Sequence, residues 1–352
     1  MKNEVRYLLQ VALYQALFMK KGVYHVVNET VEWVKKEKGA AVANFVNAVL
    51  RKAAAEGPGL PLPSPPEKRL SVQYAFPEWM VERWAARLGH HETEELLSLL
   101  DTAPEFTLRT TSARVSTESV IGQLHNDGIA ARRGRFLESA VTVDKLSPVL
   151  THDLFKKGAI RVQDEASQLA GHALTPQPGH RVLDACSGLG TKTEHLLELY
   201  PEIRLVSMDL HPAAAPQGDY LSVVRGDIRR LPFKSGVFDA ILIDAPCSSF
   251  GIVRKHPEIK WRRQEKDMAR FGNYQLSLLR AAWRSLRRGG HCVYSVCSFE
   301  PEETLDVIAA FQKEQQFVLE NPLPFLFNKE YFLSLPHKTG IDGFFIAKLR
   351  KI

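Results

Sequence analysis

The sequence predicts an α/β protein: a doubly wound parallel sheet in the C-terminal part, preceded by a small α/β module and an all-α segment. Three observations carry this reading. From about residue 155, short apolar runs ending in aspartate alternate with helical stretches, as in strand–helix–strand units. The first 55 residues instead repeat apolar side chains at helical spacing, with Val5, Leu8, Leu9, Ala12, Leu13, Ala16 and Leu17 on one face. Between them, Gly57-Pro-Gly-Leu-Pro-Leu-Pro-Ser-Pro-Pro66 places five prolines and two glycines in ten residues, which breaks any periodicity.

The elements follow in order. Two more helices are expected near Val26–Lys36 and Ala40–Ala55. After the linker, Pro77–Leu88 has helical periodicity, Phe106-Thr-Leu-Arg-Thr110 alternates like a strand, Thr117–Leu124 reads as helix and Ala140-Val-Thr-Val143 as strand. The large domain then gives strands at Arg181–Asp184, Leu205–Asp209, Phe238–Asp244 and Cys292–Ser295, with helices over Lys192–Leu199 and Gln275–Leu286. The expected division is a helical segment over 1–56, a linker over 57–69, a small module over 70–152 and the large domain over 153–352.

The chain has 352 residues, 45% hydrophobic and 24% charged, which excludes a disordered, collagen-like or low-complexity protein. Lysine and arginine number 46 against 40 acids, so the net charge of +6 points only weakly to a nucleic-acid partner. The four cysteines, Cys186, Cys247, Cys292 and Cys297, form no C-x-x-C pair, so neither a zinc site nor a disulfide scaffold is expected, and a reducing cytosol fits. No run of 18 apolar residues suggests a membrane span, and no small-residue cleavage site follows Tyr7–Phe18.

Candidate chemistry sits at the carboxyl ends of the strands, where such sheets bind ligands. Val182-Leu-Asp-Ala-Cys-Ser-Gly-Leu-Gly190 is a strand followed by a glycine-containing turn, and Lys192 opens the next helix. A plain strand–helix turn would look the same, and a partial G-x-G suits NAD, flavin and S-adenosylmethionine alike. Asp209, about 20 residues on, could accept hydrogen bonds from ribose hydroxyls. Asp227, after a third apolar stretch, could face an adenine amine. The third glycine of a dinucleotide turn is missing, since position 193 is Thr, which favours a ligand without a pyrophosphate.

Asp244-Ala-Pro-Cys247 and Tyr294-Ser-Val-Cys297 each follow a buried strand, so both cysteines are expected on the rim of one pocket. Cys186 and Cys292 read as small hydrophobes. A thiolate adds readily to an electron-poor ring carbon and leaves readily. Addition at C6 of cytosine makes C5 enamine-like, able to take a methyl group from a sulfonium; loss of the C5 proton then frees the thiolate. Two cysteines, an aspartate and a lysine match that chemistry, and spacing alone does not say which cysteine attacks.

Residues 254–270 hold seven basic side chains against three acidic ones. Arg254, Lys255, Lys260, Arg262 and Arg263, with His256 and Trp261 interleaved, read either as an RNA-binding surface or as a solvated helix face. Arg132-Arg-Gly-Arg135 forms a second basic cluster, either a phosphate grip or an ordinary turn.

At these residues the sequence resembles the bacterial Sun/RsmB family of ribosomal RNA cytosine-C5 methyltransferases. The likeness runs through Val162-Gln-Asp-Glu-Ala-Ser167, Leu183-Asp-Ala-Cys-Ser-Gly-Leu-Gly-Thr-Lys192, Asp244-Ala-Pro-Cys-Ser-Ser-Phe-Gly251 and Arg254-Lys-His-Pro-Glu-Ile-Lys-Trp261. It continues in Tyr294-Ser-Val-Cys-Ser-Phe-Glu-Pro-Glu-Glu303 and Asp342-Gly-Phe-Phe-Ile-Ala-Lys348. Ala12-Leu-Tyr-Gln15, Val27-Asn-Glu29 and Phe45–Arg51 resemble the second half of the family's NusB-like helical domain, and residues 70–150 its small RNA-binding subdomain.

The resemblance implies a Rossmann-like, S-adenosylmethionine-dependent methyltransferase sheet and a set of roles. Cys297 would be the nucleophile and Cys247 would assist release of the methylated base. Asp244 and Lys192 would hold and polarise the cytosine. The turn Cys186, Ser187, Gly188, Leu189, Gly190, Thr191 and Lys192, with Asp209, Asp227 and Asp244, would bind the cofactor. The implied partner is small-subunit (16S) ribosomal RNA, met in the cytoplasm by a monomer with no metal and no membrane. Three features depart from the family pattern: Gly188-Leu-Gly-Thr191 replaces a richer glycine turn, Val296 replaces the threonine before the nucleophile, and two prolines and a glycine over Leu210–Leu221 leave no room for a full helix. The altered turn and the short 210–222 segment motivate one alternative, a non-catalytic RNA-binding or ribosome-assembly factor on the same fold; the other is a cytosine-C5 methyltransferase acting on transfer RNA.

Overall fold

The computed structural model describes residues 3–19, 21–57, 59, 61–111, 115–212 and 220–352. It divides into two units, residues 1–73 and 74–352. In the first, the helices Asn3–Leu17, Val23–Lys38 and Ala40–Glu56 bury Val5, Leu9 and Ala12 against Val26, Val34, Val46 and Leu50, the apolar face read from the sequence. Gly39, at φ 88, ends one helix and starts the next, a left-handed conformation that glycine adopts without strain. Residues 66–73, partly inside the expected linker, form the helix Pro66–Gln73; proline suits a first turn, whose N–H has no partner. Pro58 and Leu60 of that linker lie outside the described residues.

The second unit opens with the helices Glu78–Leu88 and His90–Leu100 and a small sheet. Its strands β1 (Phe106–Thr110), β2 (Ala131–Arg133), β3 (Ala140–Val143) and β4 (Ile160–Val162) stand in the order β2-β3-β1-β4, all antiparallel. The helix Thr117–Asn126, capped where the Ser116 hydroxyl accepts from Ser119 N, buries Val120 and Leu124 against Leu108, Val141 and Ile160. β4 lies past residue 152, so a boundary placed there divides this sheet.

The large sheet is the doubly wound one expected. β5 (Arg181–Asp184), β6 (Arg204–Asp209), β7 (Leu221–Arg225), β8 (Phe238–Asp244) and β9 (Leu286–Val296) are parallel, in the order β7-β6-β5-β8-β9. β12 (Phe344–Lys351) follows antiparallel beside β9, and β10 (Phe317–Glu320) and β11 (Tyr331–Ser334) pair with its other edge. The central strands are apolar throughout because helices cover both faces. Glu165–Leu174 and Thr191–Leu199 share one core with Val182, Leu242 and Ile346; Lys266–Ser285 and Leu305–Gln312 share the other with Ile241, Ile243 and Phe345.

The helix expected over Gln275–Leu286 begins earlier, at Lys266, and ends at Ser285. Its first turns mix Met268 and Phe271 with charged residues and Gly272, so the continuous apolar stripe that marks it starts late. Gly272 lets it close on the turn Pro301–Glu303: a Cβ there would come within 2.1 Å of the Glu302 carbonyl oxygen. Of the segment Leu210–Leu221, residues 213–219 lie outside the described residues. Among the described residues no helix is long and apolar enough to cross a membrane.

Candidate active site

Strand order reverses between β5 and β8, which opens a crevice above their carboxyl ends. β5 delivers Asp184 and then the turn to Gly190. Gly188 and Gly190 take φ of 52 and 81, and Gly190 precedes the helix Thr191–Leu199. The turn is tied to β6: Ser187 N donates to Met208 O at 3.0 Å and Gly188 N to Asp209 Oδ2 at 2.9 Å. Beneath it, Asp184 is fully buried and accepts the Thr193 hydroxyl at 2.6 Å. Burial pushes its carboxyl up to about 6. Burial also raises the Cys186 thiol well above its ordinary value; its side chain packs against the core where the turn meets the cavity.

β8 and β9 run parallel with Asp244 opposite Ser295, and the chain leaves each strand into a cysteine-bearing loop. The Cys247 and Cys297 sulfurs stand 3.2 Å apart, and the Ser249 hydroxyl lies 3.6 Å from Cys297. The contact with Cys297, then burial, hold the Cys247 thiol well above its ordinary value. Asp244 Oδ2 accepts from Lys192 Nζ at 2.6 Å, and its Oδ1 from the Ser295 hydroxyl at 3.0 Å. Burial alone would push the Lys192 ammonium down; the charge and hydrogen bond of Asp244 outweigh it and raise it. Cys186–Leu189, Thr191, Lys192, Asp244 and Cys297 all line one cavity of about 380 Å³. Cys292, within β9, is buried, and burial pushes its thiol well above its ordinary value, away from a reactive thiolate.

Other candidates are placed differently. Asp227 caps the turn Ile228–Arg230 and pairs with Arg229 at 2.7 Å, so its carboxylate is engaged within its own turn. Lys255 is not on an open basic face: its ammonium is held by Asp164 at 2.5 Å and Asp342 at 2.7 Å. Lys260 is buried with its ammonium 4.1 Å from the centre of the Phe76 ring. Arg263 donates to Ser248 O at 3.0 Å, and Arg254 to Ala103 O at 2.6 Å. Trp261, 63% exposed, stays on the surface with Arg262 and with His256, whose ring lies 3.5 Å from Glu258. In the second cluster, Arg132 pairs with Glu105 at 2.6 Å and Arg133 with Glu118; with Arg135 they line a cleft of about 70 Å³ that Arg254 and Lys255 also reach.

The sequence reading gave no role to Ser295, Asp164, Asp342 or Glu303. Asp164 and Asp342 line the cavity and hold Lys255, and the quoted stretches around them were the available signal. Burial and the neighbouring Asp164 raise the Asp342 carboxyl. Among the described residues no group of three or more histidine, cysteine or acidic side chains is arranged to hold a metal ion.

Comparison with known proteins agrees along the whole chain. Residues 171–350 match the family model described as 16S rRNA methyltransferase RsmB/F. Residues 76–150 match the ferredoxin-like domain of RsmF/B-like methyltransferases, and residues 1–55 the NusB family. The probable ribosomal RNA small subunit methyltransferase B of Bacillus subtilis is 34% identical over 98% of this chain and 82% of its own. Ribosomal RNA small subunit methyltransferase B of Pasteurella multocida is 32% identical over 99% of this chain and 80% of its own. Among solved structures, that of PH0851 aligns with a TM-score of 0.83 at 27% identity, covering 99% of this chain and 82% of that one. NSun6 from Pyrococcus horikoshii, solved with SFG, shares the fold at a TM-score of 0.67 and 20% identity, over 79% of this chain and 99% of its own. With the two-cysteine crevice on a sheet of this order and relatives matched nearly end to end, the chain belongs to the RsmB/F family of 16S rRNA methyltransferases.

Proposed function

We propose that this chain methylates C5 of a cytosine in small-subunit (16S) ribosomal RNA, using S-adenosylmethionine and a covalent bond between Cys297 and C6 of the base. The observation that carries this is the pair of sulfurs 3.2 Å apart, with Cys297 on a cavity that also holds the Lys192–Asp244 pair. The turn fits the cofactor: a Cβ at Gly188 would meet nothing within 4 Å, which leaves its backbone open to a ligand, and Asp209 stands behind it with an acceptor carboxylate. When bound, S-adenosylmethionine supplies an electrophilic methyl group.

The chain's own residues do the rest. Cys186–Lys192 and Asp209 hold the cofactor. Asp244, fixed by Lys192 and Ser295, accepts from the amine of a cytosine splayed into the cavity, while Lys192 supplies positive charge. Cys297 adds to C6 and makes C5 nucleophilic. Once C5 carries its methyl group, its proton passes to water, the C5–H electron pair restores the C5–C6 double bond and Cys297 leaves as a thiolate; Cys247 assists this release. Trp261, Arg262 and His256 offer an exposed stacking and phosphate surface nearby in sequence, and Arg132, Arg133 and Arg135 a second one.

The test is transfer of labelled methyl from S-adenosylmethionine to unmodified small-subunit RNA by wild type and Cys297→Ala. Label in 5-methylcytosine with wild type, falling by about three orders of magnitude or more in the variant, is expected. No label from folded, RNA-bound wild type would turn the reading towards an assembly factor.

A further inference from the structure

The loops that carry the two cysteines are joined behind the sulfurs by one buried carboxylate. Ser248 follows Cys247 in the chain and Ser298 follows Cys297. Glu303, with no exposed surface, reaches both. Its Oε1 accepts from Ser248 N at 2.7 Å and from Gln275 Nε2 at 3.1 Å. Its Oε2 accepts from the Ser298 hydroxyl at 2.6 Å and from the Ser248 hydroxyl. Each hydroxyl has one proton and both go to Glu303, so the 3.2 Å approach of the two serine oxygens is held by their shared acceptor.

Glu303 is itself fixed. Its turn is pressed against Gly272 of the helix Lys266–Ser285, and Tyr294 OH donates to its carbonyl at 2.7 Å. On the other side of the same loop, Trp84 Nε1 donates to Glu300 at 2.8 Å, and Arg83 pairs with Glu300 and Glu302. The four donors on the Glu303 carboxylate are all uncharged groups. A buried carboxylate without a cation is costly to fold, and burial indeed pushes its titration up. A fold that needed only packing here would be better served by a neutral side chain.

We propose that Glu303 is a positioning residue that, through Ser248 and Ser298, sets where the Cys247 and Cys297 thiols stand relative to each other. This rests on the two-cysteine reading of the site. Only an acceptor-only group with several lone pairs can take four convergent donors. An amide in its place turns two donors towards Ser248 N and Gln275 Nε2, or towards the two hydroxyls, which must then rotate to accept; either way the charge-assisted bonds that draw both loops to one point are lost. Displacing a reacting group by an ångström costs about 100-fold in rate.

The test compares wild type, Glu303→Gln and Ser298→Ala in three measurements: kcat and KM of methyl transfer, the RNA adduct on denaturing gels, and bridging of the two thiols by dibromobimane, which fluoresces once both arms react. Cys247→Ala serves as the bridging blank. For Glu303→Gln we expect kcat to fall about 10- to 100-fold with both KM values within about two-fold. We also expect a longer-lived adduct, slower bridging and a melting temperature no lower than wild type. Ser298→Ala should lie between. The proposal is overturned if both variants keep wild-type kcat and bridging, or if kcat falls only in step with melting temperature. Should Glu303→Gln fail to fold, Ser298→Ala decides alone, since it deletes a single hydroxyl. Bridging needs no turnover: wild type that bridges but transfers no methyl removes the methyltransferase reading and leaves the positioning test standing.

Discussion

The two halves of the crevice are built differently. The cysteine half is knitted from behind: Glu303 joins the two loops, Gly251 N donates to Cys297 O at 3.0 Å, and Gly343 N to Gly251 O at 2.9 Å. Gly251 is itself irreplaceable, because a Cβ there would lie 1.8 Å from the Gly343 oxygen. The turn half is tied by two bonds to β6 and, at its far end, by Lys192 to Asp244; its Gly188 faces open space, and Leu189 is 84% exposed. Bond making at a ring carbon tolerates little error in position, whereas a cofactor held by backbone and ribose contacts tolerates more.

If that contrast is right, substitutions in the tight half should cost more. Asp244→Asn, which removes the counter-charge of Lys192 and the acceptor for the base, should lower kcat by about three orders of magnitude; steady-state methylation measures it. Cys247→Ala should lower turnover by about two to three orders of magnitude and accumulate a protein–RNA adduct on denaturing gels. Normal turnover without an adduct would remove Cys247 from the mechanism.

Beneath the turn, the prediction concerns stability. The Asp184 carboxyl titrates near 6 when folded and near 3.8 when free. Between those values the native state binds more protons at Asp184 than the unfolded one, so the contribution of this group to stability falls as pH rises from about 4 to 6 and is level above. Asp184→Asn does not titrate. Its stability relative to wild type should therefore grow across that window, by up to about 3 kcal/mol, as followed by denaturant unfolding at fixed pH. A constant difference between pH 4 and 7 would show that Asp184 is not held in a raised state. The smallest effect is expected in the loose half: Asp209→Asn should raise the KM for S-adenosylmethionine about 10-fold and leave kcat nearly unchanged. A large loss of kcat there would erase the contrast.

Much of this was legible in the sequence, for a physical reason. Strands buried on both faces must be continuous apolar runs, so β5, β6 and β8 and the aspartates that end them could be read directly, and the two cysteines followed. The basic run after Cys247 misled because net charge says nothing of distant partners. The acids that take Lys255 lie 91 and 87 residues away in sequence, and Lys260 finds an aromatic ring. Glu302 and Glu303 are indistinguishable as letters; the turn sends one to Arg83 and the other inward to the serines. The start of the helix at Lys266 was hidden because its first turns interrupt the apolar stripe with charged residues and Gly272.

The way β4 is shared has a practical consequence. The strand pairs with β1 in the small sheet, yet the residues that follow it, Gln163 and Asp164, already line the cavity, and Asp164 caps the helix Glu165–Leu174. Splitting the chain at residue 152 to obtain two separate proteins would strip β1 of its neighbour on one side and leave the larger fragment a dangling strand. Both pieces would then expose unpaired backbone along a β edge, the kind of surface that recruits strands from other molecules. Fragments for expression should instead be cut upstream of residue 74, where the chain's two units part.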